Sequence, residues 1–159
     1  MSIVVARIDD RLVHGQVVIG WGRGLELDRI LLIDAEVAAS EFERELYQMA
    51  VPAGIDIEFL TPDEAPARIN ALGAAADRVL VLTGSVDTMV GLATTCREAI
   101  RQINLGGIHD RPGRREYLRY VYLTNQELAD LRSVEAAGVA VSAQDLPTSA
   151  PVPLAALAE

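Results

Sequence analysis

Short apolar runs alternate along the chain with longer stretches of helical periodicity. Ile3-Val4-Val5-Ala6 is the first run, and apolar positions at Val17, Val18 and Trp21 then follow a helical spacing. Arg29-Ile30-Leu31-Leu32-Ile33 reads as a second strand, buried on both faces. Between Glu36 and Ala50, Ala38, Phe42, Leu46 and Met49 recur at near-helical spacing, with Glu36, Glu41, Glu43 and Glu45 among them. That pattern predicts one amphipathic surface helix whose charges form a solvated face. Pro52-Ala53-Gly54 breaks it, and Ile55–Leu60 alternates as a third strand. Thr61-Pro62-Asp63-Glu64 then supplies a threonine N-cap, a proline at the first helical position and a glutamate at N3. Ala65, Ile69 and Leu72 line the buried side of that helix, and Gly73 can end it.

Val79–Leu82 predicts a fourth strand running into Thr83-Gly84-Ser85, with Val86, Met89, Val90, Ala93 and Ile100 on one face of the helix beyond. Gln102–Gly107 predicts a short strand, and His109–Arg115 a polar turn carrying three arginines. Tyr120–Leu123 is a strand, followed by a capping box, Thr124-Asn125-Gln126-Glu127, that opens a helix through Leu128, Leu131 and Val134. Gly138 ends that helix. Val139–Ala143 is the last strand, and the proline-containing tail to Glu159 is expected to pack over the surface. Strands separated by helices at this rhythm predict an α/β fold. The expectation is a single domain over residues 1–159, doubly wound, with a mostly parallel sheet and helices on both faces.

Composition narrows the function classes. Half of the 159 residues are apolar, yet no apolar run reaches the roughly 18–20 residues needed to span a bilayer. Met1-Ser2 leads directly into the first strand without a signal-peptide pattern. Cys96 is the one cysteine, which excludes an intramolecular disulfide and fits a reducing cytoplasm. A net charge of −9 argues against nonspecific binding to nucleic acid or anionic membranes. All 14 basic residues are arginine, so Schiff-base and P-loop lysine chemistry are excluded. Two distant histidines and a lone cysteine do not make a zinc site.

Candidate chemistry concentrates at the first strand-to-helix turn, Asp9-Asp10-Arg11-Leu12-Val13-His14-Gly15-Gln16. Such turns lie at the carboxyl ends of strands, where open α/β sheets bind ligands. Arg11 can offer a planar fork to phosphate oxygens, and a neutral His14 imidazole is a competent phosphoryl acceptor. A helix start favours an anion beside His14, and Gly15 keeps the approach open. Asp10 or Asp9 could hold the histidine tautomer; alternatively one of them caps the helix or pairs with Arg11. If the first strand lies beside the fourth at the switch point, Thr83, Gly84 and Ser85 line the same crevice. They would supply a hydroxyl and backbone N–H groups for an anion, unless Ser85 is simply a helix N-cap. His109 reads as an exposed loop residue and Cys96 as an unreactive helix residue. Gly20-Trp21-Gly22-Arg23-Gly24 lacks the dinucleotide-binding spacing and reads as a helix end.

The run Arg7-Ile8-Asp9-Asp10-Arg11-Leu12-Val13-His14-Gly15-Gln16-Val17, with Trp21 beyond it, resembles the phosphorylation-site motif of a known family. This family comprises the IIB components of the mannose/fructose/sorbose class of the bacterial sugar phosphotransferase system. Asn104-Leu105-Gly106-Gly107-Ile108-His109 and Pro151-Val152-Pro153-Leu154 are similar to two further segments of that family. The resemblance implies a protein-N(pi)-phosphohistidine–sugar phosphotransferase component. His14 would accept a phosphoryl group from the phosphohistidine of a IIA partner and pass it to a sugar bound by the IIC/IID membrane permease. Arg11 and Asp10 would assist, with Gly15, Gln16, Thr83, Gly84 and Ser85 around the phosphate. No metal or other cofactor is implied. The expected location is the cytoplasm, with peripheral recruitment to the permease and no direct membrane insertion.

Two departures stand out. The family commonly carries a basic residue with Ser-Pro after the fourth strand, where this chain has Thr83-Gly84-Ser85-Val86. The turn near His109 usually carries lysine; Arg114 and Arg115 keep its positive charge here and could face a partner. The first departure leaves room for a second reading, a regulatory phosphohistidine module that reports its phosphorylation state to a protein partner without delivering phosphate to sugar.

Overall fold

The structure is a computed structural model that describes residues 3–12, 20–22, 24–72 and 76–157. Seven strands form one sheet: β1 (Ile3–Ile8), β2 (Arg29–Ile33), β3 (Asp56–Leu60), β4 (Val79–Thr83), β5 (Gln102–Leu105), β8 (Ala140–Ala143) and β9 (Val152–Pro153). Their order across the sheet is β3-β2-β4-β1-β5-β8-β9, parallel throughout except where β9 runs antiparallel to β8. The expected α/β architecture is therefore present, with β1 between β4 and β5.

Burial on both faces explains why the central strands are uninterrupted apolar runs. In β2, Leu31 and Ile33 point into the larger core, whereas Ile30 and Leu32 point into the smaller one on the opposite face; β4 divides Val79 and Val81 from Leu80 and Leu82 in the same way. The larger core is covered by α3 (Ala65–Leu72), α4 (Val86–Thr95), α5 (Asn125–Ala136) and α6 (Leu154–Leu157). Ala65, Ile69 and Leu72 are buried as their spacing requires, as are Leu128, Leu131 and Val134. The Thr124 capping box is complete: Glu127 N–H donates to Thr124 Oγ1 at 3.0 Å, and Thr124 N–H donates back to Glu127 Oε1 at 2.8 Å. Gly138, at φ 109°, adopts a conformation that L side chains resist and turns the chain toward β8.

Five expectations need correction. The segment after β2 is two helices, α1 (Ala35–Ala39) and α2 (Glu41–Ala50), because Ser40 is extended and caps α2 by accepting from Glu43 N–H at 3.2 Å. The α2 periodicity is real, but its apolar stripe faces outward: Phe42, Leu46 and Met49 are 69%, 49% and 83% exposed. Ile100 is buried beyond the end of α4 rather than on its face, after a turn closed by Ile100 N–H donating to Cys96 O at 2.9 Å. The run containing Tyr120–Leu123 belongs to a separate antiparallel hairpin, β6 (Arg115–Leu118) with β7 (Val121–Leu123), so the predicted polar turn runs into a strand. The tail, expected to lie over the surface, extends the sheet through β9 and buries Leu154 and Leu157 in the larger core.

Candidate active site

Three loops meet at the carboxyl ends of β4, β1 and β5. Asp9 N–H donates to Thr83 O at 2.9 Å, and Asp10 N–H donates to Gly107 O at 2.8 Å. Asp9 O accepts from Leu12 N–H at 3.0 Å, closing a tight turn over Asp9–Leu12. Leu12 holds φ at 52°, in the left-handed region, while its side chain is buried in the smaller core. A non-glycine residue in that conformation carries local strain of about 1 kcal/mol or more. His14, Gly15 and Gln16 lie outside the described residues.

Asp9 is the hub of the turn. Its carboxylate is fully buried and accepts from Arg11 N–H at 3.1 Å, Arg11 Nε at 2.9 Å, Arg11 Nη2 at 2.7 Å and Arg7 Nη2 at 3.0 Å. The bidentate geometry locks the Arg11 guanidinium side-on against Asp9. Among the described residues, Arg11 Nη1 carries no hydrogen bond, and Arg11 remains 31% exposed. Arg11 can therefore present donors outward from a fixed position.

Arg7 anchors the hub from below. It is wholly buried, stacks 4.6 Å from the centre of the Trp21 ring, and donates to Gln144 O at 2.8 Å, Asp145 O at 3.0 Å and Asn104 Oδ1. Asn104 faces Arg7 because β1 and β5 pair them in register. Gly106 and Gly107 form the adjoining wall: a Cβ on Gly106 would lie 2.6 Å from Asp9 Oδ2, and one on Gly107 would lie 3.0 Å from Arg11 Nε.

Burial alone would raise the Asp9 pKa, but the Arg11 hydrogen bonds and the charges of Arg7 and Arg11 outweigh it and hold the carboxyl below its ordinary range. The hydrogen bond to Asp9 in turn pushes Arg11 up. Desolvation pulls Arg7 down, opposed mainly by Asp9; guanidinium is basic enough to stay charged in both positions. Asp145 joins the edge of this network, 3.6 Å from Arg11 Nη2 and 3.4 Å from Arg119 Nη2.

The structure separates the two acids that the sequence left interchangeable. Asp9 pairs with Arg11, whereas Asp10 holds the second histidine: His109 N–H donates to Asp10 Oδ2 at 2.8 Å, and His109 Nδ1 pairs with Asp10 Oδ1. His109 is 67% exposed, as expected of a loop residue, yet it is tied to the candidate turn. Arg114 is not a free partner-facing charge. It makes a bidentate contact with Glu127 at 3.1 and 2.9 Å and donates to His109 O at 2.9 Å, fastening the His109 loop to the start of α5. Arg115 is exposed, with its guanidinium 4.9 Å from the Tyr117 ring centre.

The Thr83–Ser85 loop adjoins the turn, since a Cβ on Gly84 would lie 3.2 Å from Asp10 Cα. Thr83 Oγ1 accepts from Ser85 N–H at 3.3 Å, and Ser85 Oγ caps α4 by accepting from Thr88 N–H at 3.1 Å. Ser85 is thus the N-cap that its position allowed, with its hydroxyl proton still available to an acceptor. Among the described residues, no group of three or more His, Cys, Asp or Glu side chains is placed to hold a metal ion.

Sequence reasoning missed Arg7, Asn104, Asp145 and the attachment of His109. The alternation Arg7-x-Asp9-x-Arg11 at the end of an apolar strand was the available signal, because charges so placed need buried partners.

Similarity to known proteins covers nearly the whole chain. The family described as "PTS system sorbose subfamily IIB component" matches residues 3–159. The N-acetylgalactosamine-specific phosphotransferase enzyme IIB component 1 of Escherichia coli (strain K12) is 30% identical over 149 residues, covering 92% of each chain. The sorbose-specific EIIB component of Klebsiella pneumoniae is 30% identical over 142 residues, covering 87% of this chain and 84% of its own. The crystal structure of the IIBSor domain of the Klebsiella pneumoniae sorbose permease superposes with a TM-score of 0.87 at 28% identity, covering 99% of this chain and 96% of that one.

Proposed function

The chain belongs to the sorbose-subfamily IIB components of the phosphotransferase system, and from that membership we propose that His14 carries a phosphoryl group between two partners. The donor is the phosphohistidine of a IIA component; the acceptor is a sugar hydroxyl held by the IIC/IID permease. In the first transfer a neutral imidazole nitrogen of His14 attacks phosphorus as the donor's P–N bond breaks, and the donor imidazole keeps the bonding pair. In the second, the sugar hydroxyl oxygen attacks phosphorus as the His14 N–P bond breaks; the hydroxyl releases its proton to solvent and the departing imidazole takes one up from solvent, so His14 ends neutral. Residues 1–159 act as one domain in this reading, working at the cytoplasmic face of the membrane.

The observation that carries the proposal is the Asp9 lock on Arg11. Loose phosphoryl-transfer transition states are stabilised by cations already in position, because little covalent chemistry is left to the protein. Arg11 is fixed by two side-chain hydrogen bonds and stands three residues before His14. In this reading Gly15 and Gln16 are assigned to phosphate binding, together with Thr83, Gly84 and Ser85. Asp10 acts as a positioning residue by holding the His109 loop against the turn. No step in this scheme needs a metal.

The test supplies phosphorylated IIA, this protein and vesicles carrying IIC/IID, and measures sugar phosphate. Sugar phosphate should form and should require His14. Arg11→Ala should slow transfer by about a hundredfold or more, the scale of a lost oxyanion-type donor; an unchanged rate removes Arg11 from the mechanism. A protein that is labelled but yields no sugar phosphate would instead be a regulatory phosphohistidine module.

A further inference from the structure

Helix α2 is amphipathic with its apolar side turned away from the protein. Phe42, Leu46 and Met49 stand at i, i+4 and i+7 on one face, and all three are exposed. Inward positions go to Glu43, Arg44 and Tyr47, each partly buried. Burying large apolar side chains is worth about 1.5–3 kcal/mol each, so a helix that leaves three in water forgoes a substantial stabilisation. Singly exposed apolar residues are ordinary, but three in one stripe mark a surface that another molecule covers.

The charges around the stripe say what kind of molecule. Glu41 and Glu45 lie exposed on the same helix, and Glu36 is exposed on α1 beside it. Arg44, the helix's basic residue, is folded back to donate to Ala38 O and stays off the stripe. The patch is therefore apolar with an acidic border, on a chain of net charge −9. Anionic lipid headgroups would be repelled by it, and a second copy would bring the same carboxylates against one another. Cytoplasmic loops of membrane proteins carry an excess of Lys and Arg. Such loops, with apolar side chains between their charges, complement an acidic-bordered apolar stripe.

We propose that the Phe42–Leu46–Met49 face of α2 docks the cytoplasmic loops of the membrane permease. This rests on the proposed delivery of phosphate to a permease-bound sugar. The placement suits it, because α1 opens at the carboxyl edge of the sheet, where Asp34 N–H donates to Leu60 O at 3.0 Å, and α2 follows directly. That is the edge at which the Asp9–Leu12 turn lies, with β4 standing between β2 and β1, so the stripe and the turn belong to the same end of the sheet.

Nanodiscs carrying the IIC/IID complex provide the probe, with empty nanodiscs of the same anionic lipid as the control. The test variant is Phe42→Gln/Leu46→Gln/Met49→Gln, which keeps good helix formers at exposed positions. Wild-type protein should bind the loaded discs, more weakly as salt is raised. The variant should bind at least tenfold more weakly, deliver phosphate to sugar correspondingly less well, and still accept phosphate from IIA at the wild-type rate. Equal binding and delivery by wild type and variant would overturn the docking surface while leaving the phosphocarrier function intact. Binding to empty discs as strong as to loaded ones, or self-association of the wild type that the variant abolishes, would also overturn it, assigning the stripe to lipid or to a second copy. Wild-type protein that takes label from IIA but neither binds loaded discs nor yields sugar phosphate would overturn the delivery reading itself, and this inference with it.

Discussion

Asp9→Asn isolates the buried hub of the site. The carboxylate receives two donors on each oxygen: Arg11 N–H and Nε on Oδ1, and Arg11 Nη2 and Arg7 Nη2 on Oδ2. An amide in its place keeps one acceptor oxygen and turns an NH2 group against two arginine donors, whichever way it is flipped. Arg7 is wholly buried and cannot shed its charge, so the substitution leaves a cation without its counterion. Breaking a buried ion pair from one side costs about 3–5 kcal/mol. For a chain of this length that corresponds to a fall in Tm of roughly 6–20 °C. The comparison is Asp10→Asn, which disturbs a pairing with a largely exposed histidine and should cost about 1 kcal/mol or less.

Urea unfolding of the wild type and both variants across pH measures the difference. A carboxylate whose folded pKa is depressed contributes its full stability above its unfolded value, near 3.8, and loses it as pH falls through the folded value. The gap between wild type and Asp9→Asn should therefore be constant from about pH 5 to 8 and shrink below about pH 4. A loss below about 1 kcal/mol at neutral pH, or a gap that does not narrow in acid, would refute the assignment of Asp9 as the charged hub.

Gly106→Ala should destabilise the protein by about 1–3 kcal/mol, read as a lower urea midpoint, because the new methyl would meet Asp9 Oδ2 at 2.6 Å and Arg7 Cζ at 2.5 Å in a region with no room to move. Thr124→Ala should cost about 1 kcal/mol by thermal melt, since it removes the acceptor for Glu127 N–H at the start of α5. Arg114→Ala should loosen the His109 loop, shown by faster amide hydrogen exchange around residues 107–111, because it removes the bond to His109 O as well as the Glu127 pair.

The sheet was legible because its strands are buried on both faces and so are written as continuous apolar runs, as in Arg29–Ile33 and Val79–Leu82. The Thr124 cap was legible because capping is local chemistry between residues three apart. What failed depends on contacts distant in sequence. The α2 pattern gave the period of the helix, but period cannot say which side meets the protein. β6 and β7 pair with each other rather than with the sheet, and β9 forms because β8 offers it an edge; neither fact is carried by the residues alone. Within the site, the turn and its neighbour at Thr83–Ser85 followed from strand order, and the structure brings them together. The division of labour between Asp9 and Asp10 did not, because it is decided by Arg7, Asn104 and His109 arriving from β1, β5 and the loop beyond it.

Labelled phosphate from phosphorylated IIA, offered to wild type and His14→Ala side by side, shows whether His14 is the acceptor. The wild type should acquire an acid-labile, base-stable phosphate that maps to the peptide containing His14, and the variant none. Equal labelling of the His14→Ala protein, or label mapped to His109, would contradict that assignment.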